Sequence, residues 1–259
     1  MRVLVISDIH ANLTALEAVL QDAGTVDEIW CLGDMIGYGP DPNDVVERMR
    51  GLPNLTACLL GNHDVALLGD MNFAVFNTEA RKSLLWQQAN ITPGNLAHLR
   101  TLPQKTLVKY NVTLAHGSPR DPVWEYILNT LIARLNFEAF ETPYCFVGHS
   151  HIQCYFQLDE SRDRVSLEIS PVNRVVKLTP RIILNPGSVG QPRDRNPLAA
   201  YAIYDPDAET WEPRRVEYDV AAVQKRIRAA GLPEKHAARL TDGWSDAVTP
   251  LHDNLASIY

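Results

Sequence analysis

Cysteine is scarce in this 259-residue chain: Cys31, Cys58, Cys145 and Cys154 are widely spaced, and no two form a C-x-x-C pair. That argues against a disulfide framework or a thiolate metal site, and suggests reduced cysteines packed as small apolar side chains. Blocks of Lys and Arg are also missing, and 24 basic against 31 acidic residues give a formal net charge of −7. A chain that tracks a phosphate backbone would gather positive charge on one face, so no nucleic-acid partner is expected. No apolar run approaches the length of a membrane span, and Met1 leads straight into Arg2-Val3-Leu4-Val5-Ile6 without the charged and apolar regions of a secretory leader. A cytoplasmic protein without a membrane partner is expected. Repeats and low-complexity stretches are absent too, so the sequence predicts one domain over 1–259, with 46% hydrophobic residues to fill its core.

What is present is an alternation of strands and helices, followed by a run of strands. Residues 2–7 are aliphatic without polar alternation, as in a strand buried on both faces. Asn12 then reads as the N-cap of an amphipathic helix carrying Leu13, Leu16, Val19 and Leu20, with Gly24 past its end. Strands are predicted over 27–33 and 55–61 around a helix at 42–50, then helices near 78–89 and 93–101. Further strands are expected near 105–116 and 144–148, with a helix around 128–140 between them. Six more apolar stretches between 152 and 218 read as strands, and the tail from Asp219 reads as helical.

The apolar runs share an unusual ending. They stop on Asp, Asn or His at Ser7-Asp8-Ile9-His10, Gly33-Asp34, Gly61-Asn62-His63-Asp64, His116-Gly117 and Gly148-His149-Ser150-His151. Five of the eight histidines fall at these ends. In an open α/β sheet the carboxyl ends of neighbouring strands converge on one crevice, so the five termini can gather at one site. Two aspartates, one asparagine and four histidines offer oxygen and imidazole nitrogen without thiolate, a mixture suited to Mn, Fe, Co, Ni or Zn. Seven such ligands plus water exceed one coordination sphere, which suggests two ions. Residues two apart on a strand point to the same side, so each D-x-H and H-x-H pair is expected to grip together. Taken singly, Asp8 and Asp34 read as turn formers or helix caps, Asn62 as a turn residue and His116 as a core histidine. The five ordered blocks together favour a site.

This series of D-x-H, G-D, G-N-H-D, H-G and G-H-S-H resembles the calcineurin-like metallophosphoesterase superfamily, and the stretches 33–42 and 185–194 resemble its small bacterial phosphodiesterase branch. The resemblance implies an α/β fold, a four-layer αββα sandwich of two mixed sheets flanked by helices. It implies that Asp8, His10 and His151 hold one metal, that Asn62, His116 and His149 hold another, and that Asp34 bridges both. It places His63 outside the metals beside the leaving group, as a protonated donor, with Asp64 orienting its ring. The implied reaction is phosphodiester hydrolysis by a hydroxide shared between two divalent ions, which lower the pKa of the water. Asn62 and His63 would also meet the substrate. Arg193 is a candidate for binding its phosphate, since a guanidinium fork matches phosphate oxygens.

The expected partner is a small phosphate ester. Phe73, Phe76 and Trp86, together with the loop around Trp124 and Tyr126, are candidates for its pocket walls. Protein phosphatases and dinucleoside-polyphosphate hydrolases of the superfamily carry "DRG" after the second block, where this chain has Met35-Ile36-Gly37-Tyr38. That departure points away from both and toward a small phosphodiester, with a phosphomonoester or nucleotide as the alternative. A metal-free interaction scaffold would have lost ligands, and a nuclease would want a basic track. This chain fills every ligand position and has no such track.

Overall fold

The computed structural model describes residues 1–69 and 73–244. It contains two six-stranded mixed sheets and eight α-helices. The first half runs β1 (Val3–Ile6), α1 (Leu13–Ala23), β2 (Glu28–Cys31), α2 (Pro42–Arg50), β3 (Leu55–Cys58), α3 (Asn62–Leu67), α4 (Thr78–Asn90) and α5 (Pro93–Leu99). It continues with β4 (Leu107–Lys109), β5 (Val112–Leu114), α6 (Thr130–Asn136) and β6 (Tyr144–Phe146). Then come β7 (Gln153–Asp159), β8 (Arg164–Ile169), β9 (Val176–Lys177), β10 (Ile182–Pro186), β11 (Ala199–Asp205) and β12 (Thr210–Val216), and two helices, α7 (Val220–Ala229) and α8 (Glu234–Asp242).

The sheets run β3-β2-β1-β11-β12-β9 and β4-β5-β6-β10-β7-β8. Side-chain alternation sorts β1 between two cores. Val3 and Val5 join Trp30, Val112, Phe146, Leu184 and Trp211 in a core between the sheets, while Leu4 and Ile6 face the other way onto α1 and α2 residues such as Leu16, Val19 and Val46. A third core packs Ala133 and Phe137 at α6 against Cys145, Phe156 and Ile183 on the outer face of the second sheet. These are the four layers expected, and strands buried on both sides explain why the early runs lack polar alternation. All four cysteines are free and buried within them. No helix among the described residues is long and apolar enough to cross a membrane.

Several elements differ from the sequence reading. The stretch 105–116 is a hairpin rather than one strand, turning at Tyr110 and Asn111, both at positive φ (46° and 59°). Only Val176–Lys177 of the expected strand before 180 pairs, and the helix near 128–140 shortens to Thr130–Asn136. Helix α3 was not anticipated, because its Asn62-His63-Asp64 start looks like the end of a strand. Asn12 does cap α1, its side chain accepting from the Ala15 amide at 3.1 Å.

The C-terminal helices fold back over the crevice side of the first sheet. Arg226 on α7 reaches Asp41 and Thr14 at 2.7–2.9 Å. On α8, buried His236 meets the Tyr38 ring edge to face at 5.0 Å and contacts the Glu79 carbonyl at 3.2 Å. Burial holds the His236 pKa down at about 4. Between pH 6.5 and 4 the unfolded chain therefore takes up a proton at His236 that the folded chain refuses, so stability is lost as pH falls through this window. Urea unfolding should show that a His236→Leu variant loses about 2 kcal/mol less stability between pH 7 and pH 5 than the unmutated protein. Equal losses would mean that His236 is protonated in place.

Candidate metal centre

Strands β1, β2 and β3 are parallel in one sheet, and β5, β6 and β10 are parallel in the other. Their carboxyl ends open on one side, and the chain turns there into short polar loops. The Asp8 amide donates to Gly33 O at 3.0 Å, His10 to Asp34 O at 3.0 Å and Ala11 to Met35 O at 2.8 Å, so the first two loops lie zipped together. Asn185, near the end of β10, donates to Gly148 O at 2.7 Å and Ser150 Oγ at 3.0 Å, which holds the loop bearing His149 and His151. Asp194 pairs with Arg215 on β12.

The backbone corrects one expectation. Asp8 and His10, and His149 and His151, do not lie on strands. Asp8 (55°), His10 (51°), Asp34 (54°), His149 (65°) and His151 (60°) all have positive φ in loops. The members of each pair converge through matched left-handed turns rather than strand alternation. Each such residue costs about 1–2 kcal/mol, a strain that proteins retain where geometry serves a function. Gly61 lets the third loop approach, because a Cβ there would overlap the Asp34 carboxylate.

The result is a buried cluster. His151 Nε2 stands 3.1 Å from Asp8 Oδ1, His10 Nε2 3.7 Å from Asp8 Oδ1 and 3.6 Å from Asp34 Oδ2, and His116 Nε2 3.5 Å from Asp34 Oδ2. Asn62 Oδ1 lies 3.3 Å from His116 Nε2. Among the described residues, three sets have ligand atoms within 4.8 Å of one another: Asp8, His10 and His151; His10, Asp34 and His63; and Asp34, His116 and His149.

The outer contacts fix which nitrogen faces inward. A carbonyl only accepts, so contacts from His10 Nδ1 to Ile36 O at 2.9 Å, from His116 Nδ1 to Leu32 O at 3.0 Å and from His151 Nδ1 to Gln191 O put the proton on Nδ1 and leave Nε2 a lone-pair donor. His149 is reversed: its Nε2 meets Trp124 O at 3.2 Å, which leaves Nδ1 inward. Asp8 Oδ2 accepts from the His149 amide at 3.0 Å and Asp34 Oδ1 from the His63 amide at 2.9 Å, whereas Asp8 Oδ1 and Asp34 Oδ2 have no hydrogen-bond donor.

Charge is out of balance here. Burial pulls the pKa of His10, His116 and His151 down to about 4, so all three are neutral near pH 7. Burial, then Asp64 and Asp8, push Asp34 well above the carboxylate range. Burial also opposes the Asp8 charge, but the adjoining His151 and His10 outweigh it and keep the Asp8 pKa low. A site with two orphaned carboxylate oxygens and inward imidazole lone pairs fits divalent cations of the first transition row, which would neutralise the clustered carboxylates.

Two roles differ from the sequence reading. Asp64 was expected to orient the His63 ring; its carboxylate instead accepts from the amides of Gly61 (3.0 Å), Ile36 (3.1 Å) and Met35 (3.3 Å), tying the second and third loops together. The His63 ring is held by Tyr38, whose hydroxyl lies 3.1 Å from Nε2 and also accepts from Arg193 Nη2 at 3.1 Å. Nor is His63 protonated at rest: burial, then His10 and Arg193, hold its pKa well below the ordinary value. It also falls within one of the three ligand sets rather than apart from them.

Beside the cluster opens a cavity of about 270 Å³ whose lining includes Asn62, His63, His149 and Arg193. Of the aromatic candidates, Phe76, Trp124 and Tyr126 line it; Phe73 instead packs on the first-sheet core and Trp86 under the C-terminal helices. Sequence reasoning missed Tyr38, Gln87 and Arg239. Gln87 on α4 accepts from the Gly37 amide at 2.6 Å and donates to Gly39 O at 2.7 Å, shaping the Tyr38 loop. None of the three stands at a strand end, the only signal the motif reading used.

Known proteins are similar to this chain in sequence and fold. The calcineurin-like phosphoesterase superfamily domain matches residues 1–209. An uncharacterized protein of Methanocaldococcus jannaschii is 36% identical over 245 residues, 92% of this chain and 96% of that protein. The crystal structure of a metallophosphoesterase from Sphaerobacter thermophilus superposes with a TM-score of 0.85 at 48% identity, covering 94% of this chain and 99% of that one. A symmetrical bis(5'-nucleosyl)-tetraphosphatase of Photorhabdus laumondii is 38% identical over 72 residues, 27% of this chain and 26% of that protein. With a family match over most of its length and a relative matched nearly end to end, the chain belongs to the calcineurin-like phosphoesterase superfamily.

Proposed function

We propose that this chain is a divalent-metal-dependent phosphoesterase that hydrolyses a small phosphodiester. The observation that carries the reading is Asp34, a buried carboxylate common to two of the three ligand sets, with one oxygen fixed by the His63 amide and the other unpartnered. Asp8, His10 and His151 would hold one cation, Asn62, His116 and His149 a second, and Asp34 both. Bound divalent ions supply Lewis acidity toward phosphoryl oxygens and a lowered pKa for water.

The protein groups do the rest. Arg193 is almost wholly buried and its Nε is steadied by Gln191 at 3.2 Å, so its fork is preorganised for a non-bridging oxygen. Tyr38 couples Arg193 to His63. Arginine only donates, so the Tyr38 oxygen accepts from it, and the same hydroxyl lies 3.1 Å from His63 Nε2. The neutral His63 ring would offer its N–H to the departing oxygen. The walls shed water around both.

The local similarity to the symmetrical tetraphosphatase supports a second reading, a nucleotide phosphatase of the same site. Elemental analysis and turnover of bis(p-nitrophenyl) phosphate test the main one. About two transition-metal ions should bind per chain, and EDTA should abolish a turnover that added Mn, Co or Zn restores. Undiminished turnover after exhaustive chelation overturns metal dependence. Faster hydrolysis of p-nitrophenyl phosphate than of the diester would favour the second reading.

A further inference from the structure

We infer that Arg239, on the C-terminal helix α8, completes a second anion subsite in the cavity, selecting substrates that carry another phosphoryl group beyond the one attacked. The inference rests on the phosphoesterase reading of the same site. Helices α7 and α8 follow the residues covered by the superfamily match, and α8 returns to the metal-centre side, where His236 packs on Tyr38.

Three observations carry it. First, among the described residues the cavity is lined by two guanidinium side chains, Arg193 and Arg239, and by no Asp or Glu, although the chain as a whole has 31 acidic residues and a net charge of −7. Such a wall favours anions. Second, the Arg239 side chain is anchored at the end of α8: Nε donates to Trp244 O at 2.9 Å past the helix end, and Gly243, at φ 60°, turns the chain there. The segment is in turn pinned to the loop that carries Arg193, since the Arg195 amide donates to Gly243 O at 2.6 Å and the Arg195 guanidinium lies 4.2 Å over the Trp244 ring. The two arginines are thus set on one connected wall. Third, His236, one turn before Arg239, packs on Tyr38, which already holds Arg193. This seats α8 against the phosphate-binding side rather than leaving it as a loose tail.

One arginine suffices for the non-bridging oxygens of a single phosphoryl group held beside two cations. A second guanidinium lining the same cavity, that of Arg239, adds a contact for a substrate that extends and stays anionic. The remaining walls, Phe76, Trp124 and Tyr126, offer partly exposed ring surface suited to a planar group, and the cavity of about 270 Å³ is a small-molecule volume. A nucleotide with at least two phosphoryl groups fits all of these.

The test compares binding of adenosine 5'-(α,β-methylene)diphosphate, which resists cleavage between its phosphorus atoms, with that of adenosine 5'-monophosphate. Calorimetry on metal-loaded protein is the readout, with thermal melting to establish that each variant is folded. A charge-assisted contact predicts that the diphosphate analogue binds about 10- to 100-fold tighter than the monophosphate. Arg239→Ala should shrink that ratio at least about tenfold and Arg239→Lys should restore part of it. A ratio unchanged by Arg239→Ala, or near one in the unmutated protein, overturns the subsite. Chelation-sensitive hydrolysis of bis(p-nitrophenyl) phosphate in the same preparation shows in that event that the phosphoesterase reading stands and only the second anion contact has failed. Loss of that hydrolysis would instead strike the underlying reading.

Discussion

Asp34→Asn is expected to lower phosphoesterase turnover by at least about 10³-fold while leaving the metal-free protein as stable as before or more so. Removing one preorganised electrostatic contact typically costs about 10² to 10³ in rate. Asp34 belongs to two ligand sets, so one neutral amide weakens both. Asp8 belongs to one, and Asp8→Asn should cost less. The stability half follows from the same burial. Without a cation the Asp34 charge faces burial, Asp64 and Asp8, which together drive its pKa up, so near neutral pH the ionised carboxylate is a destabilising group. Asparagine keeps the acceptor that Oδ1 offers the His63 amide and removes the charge on the orphaned Oδ2. Melting with and without added metal separates the two effects: the variant should match or exceed the unmutated melting temperature in EDTA and lose most of the upward shift on metal addition. A variant that melts markedly lower in EDTA would make Asp34 a structural residue first. Equal metal content and rate in the Asp34 and Asp8 variants would count against a shared ligand.

The strand-end motif was legible because it is written into consecutive residues. Asp8, His10, Asp34, Asn62, His116, His149 and His151 each follow an apolar run, and burial on both faces makes those runs continuous enough to see. How the pairs converge was not legible. The expectation of strand alternation fails since Asp8, His10, His149 and His151 sit at positive φ, a conformation that Asp and His adopt at a cost and that nothing in residue type announces. Helix α3 was hidden for a related reason: it is six residues long, is capped by a glycine, and offers less than two turns of periodicity. Asp64 looked like a partner for His63 by adjacency, yet successive residues of a helix do not face one another, and its carboxylate turns back to the Gly61 amide as a capping residue does. Tyr38, Gln87 and Arg239 arrive from a loop and two helices brought together only by the tertiary fold. A motif on strand ends finds what the strands carry and misses what the lid of helices contributes.

His63→Ala should slow hydrolysis of an alkyl phosphodiester by about 10² to 10⁴ and a p-nitrophenyl ester far less, because a good leaving group departs without a donor. Burial, His10 and Arg193 keep His63 neutral, so the group on offer is a neutral ring N–H rather than an imidazolium. A neutral donor stabilises charge growing on the departing oxygen by hydrogen bonding, without needing a proton from solution beforehand. The two forms differ in their pH profiles. An imidazolium acid would impose a falling limb on the alkyl diester as pH rises past its pKa, absent from His63→Ala. A neutral donor imposes none, so the ratio of unmutated to variant rates should stay flat between pH 6 and 8. His63 also lies within ligand distance of His10 and Asp34, so metal content must be measured on the variant. Full metal content, a leaving-group-dependent loss and a flat ratio together identify the neutral donor. Equal slowing of both substrates with chemistry rate-limiting would remove His63 from the leaving-group side, and a drop in bound metal would make it a ligand.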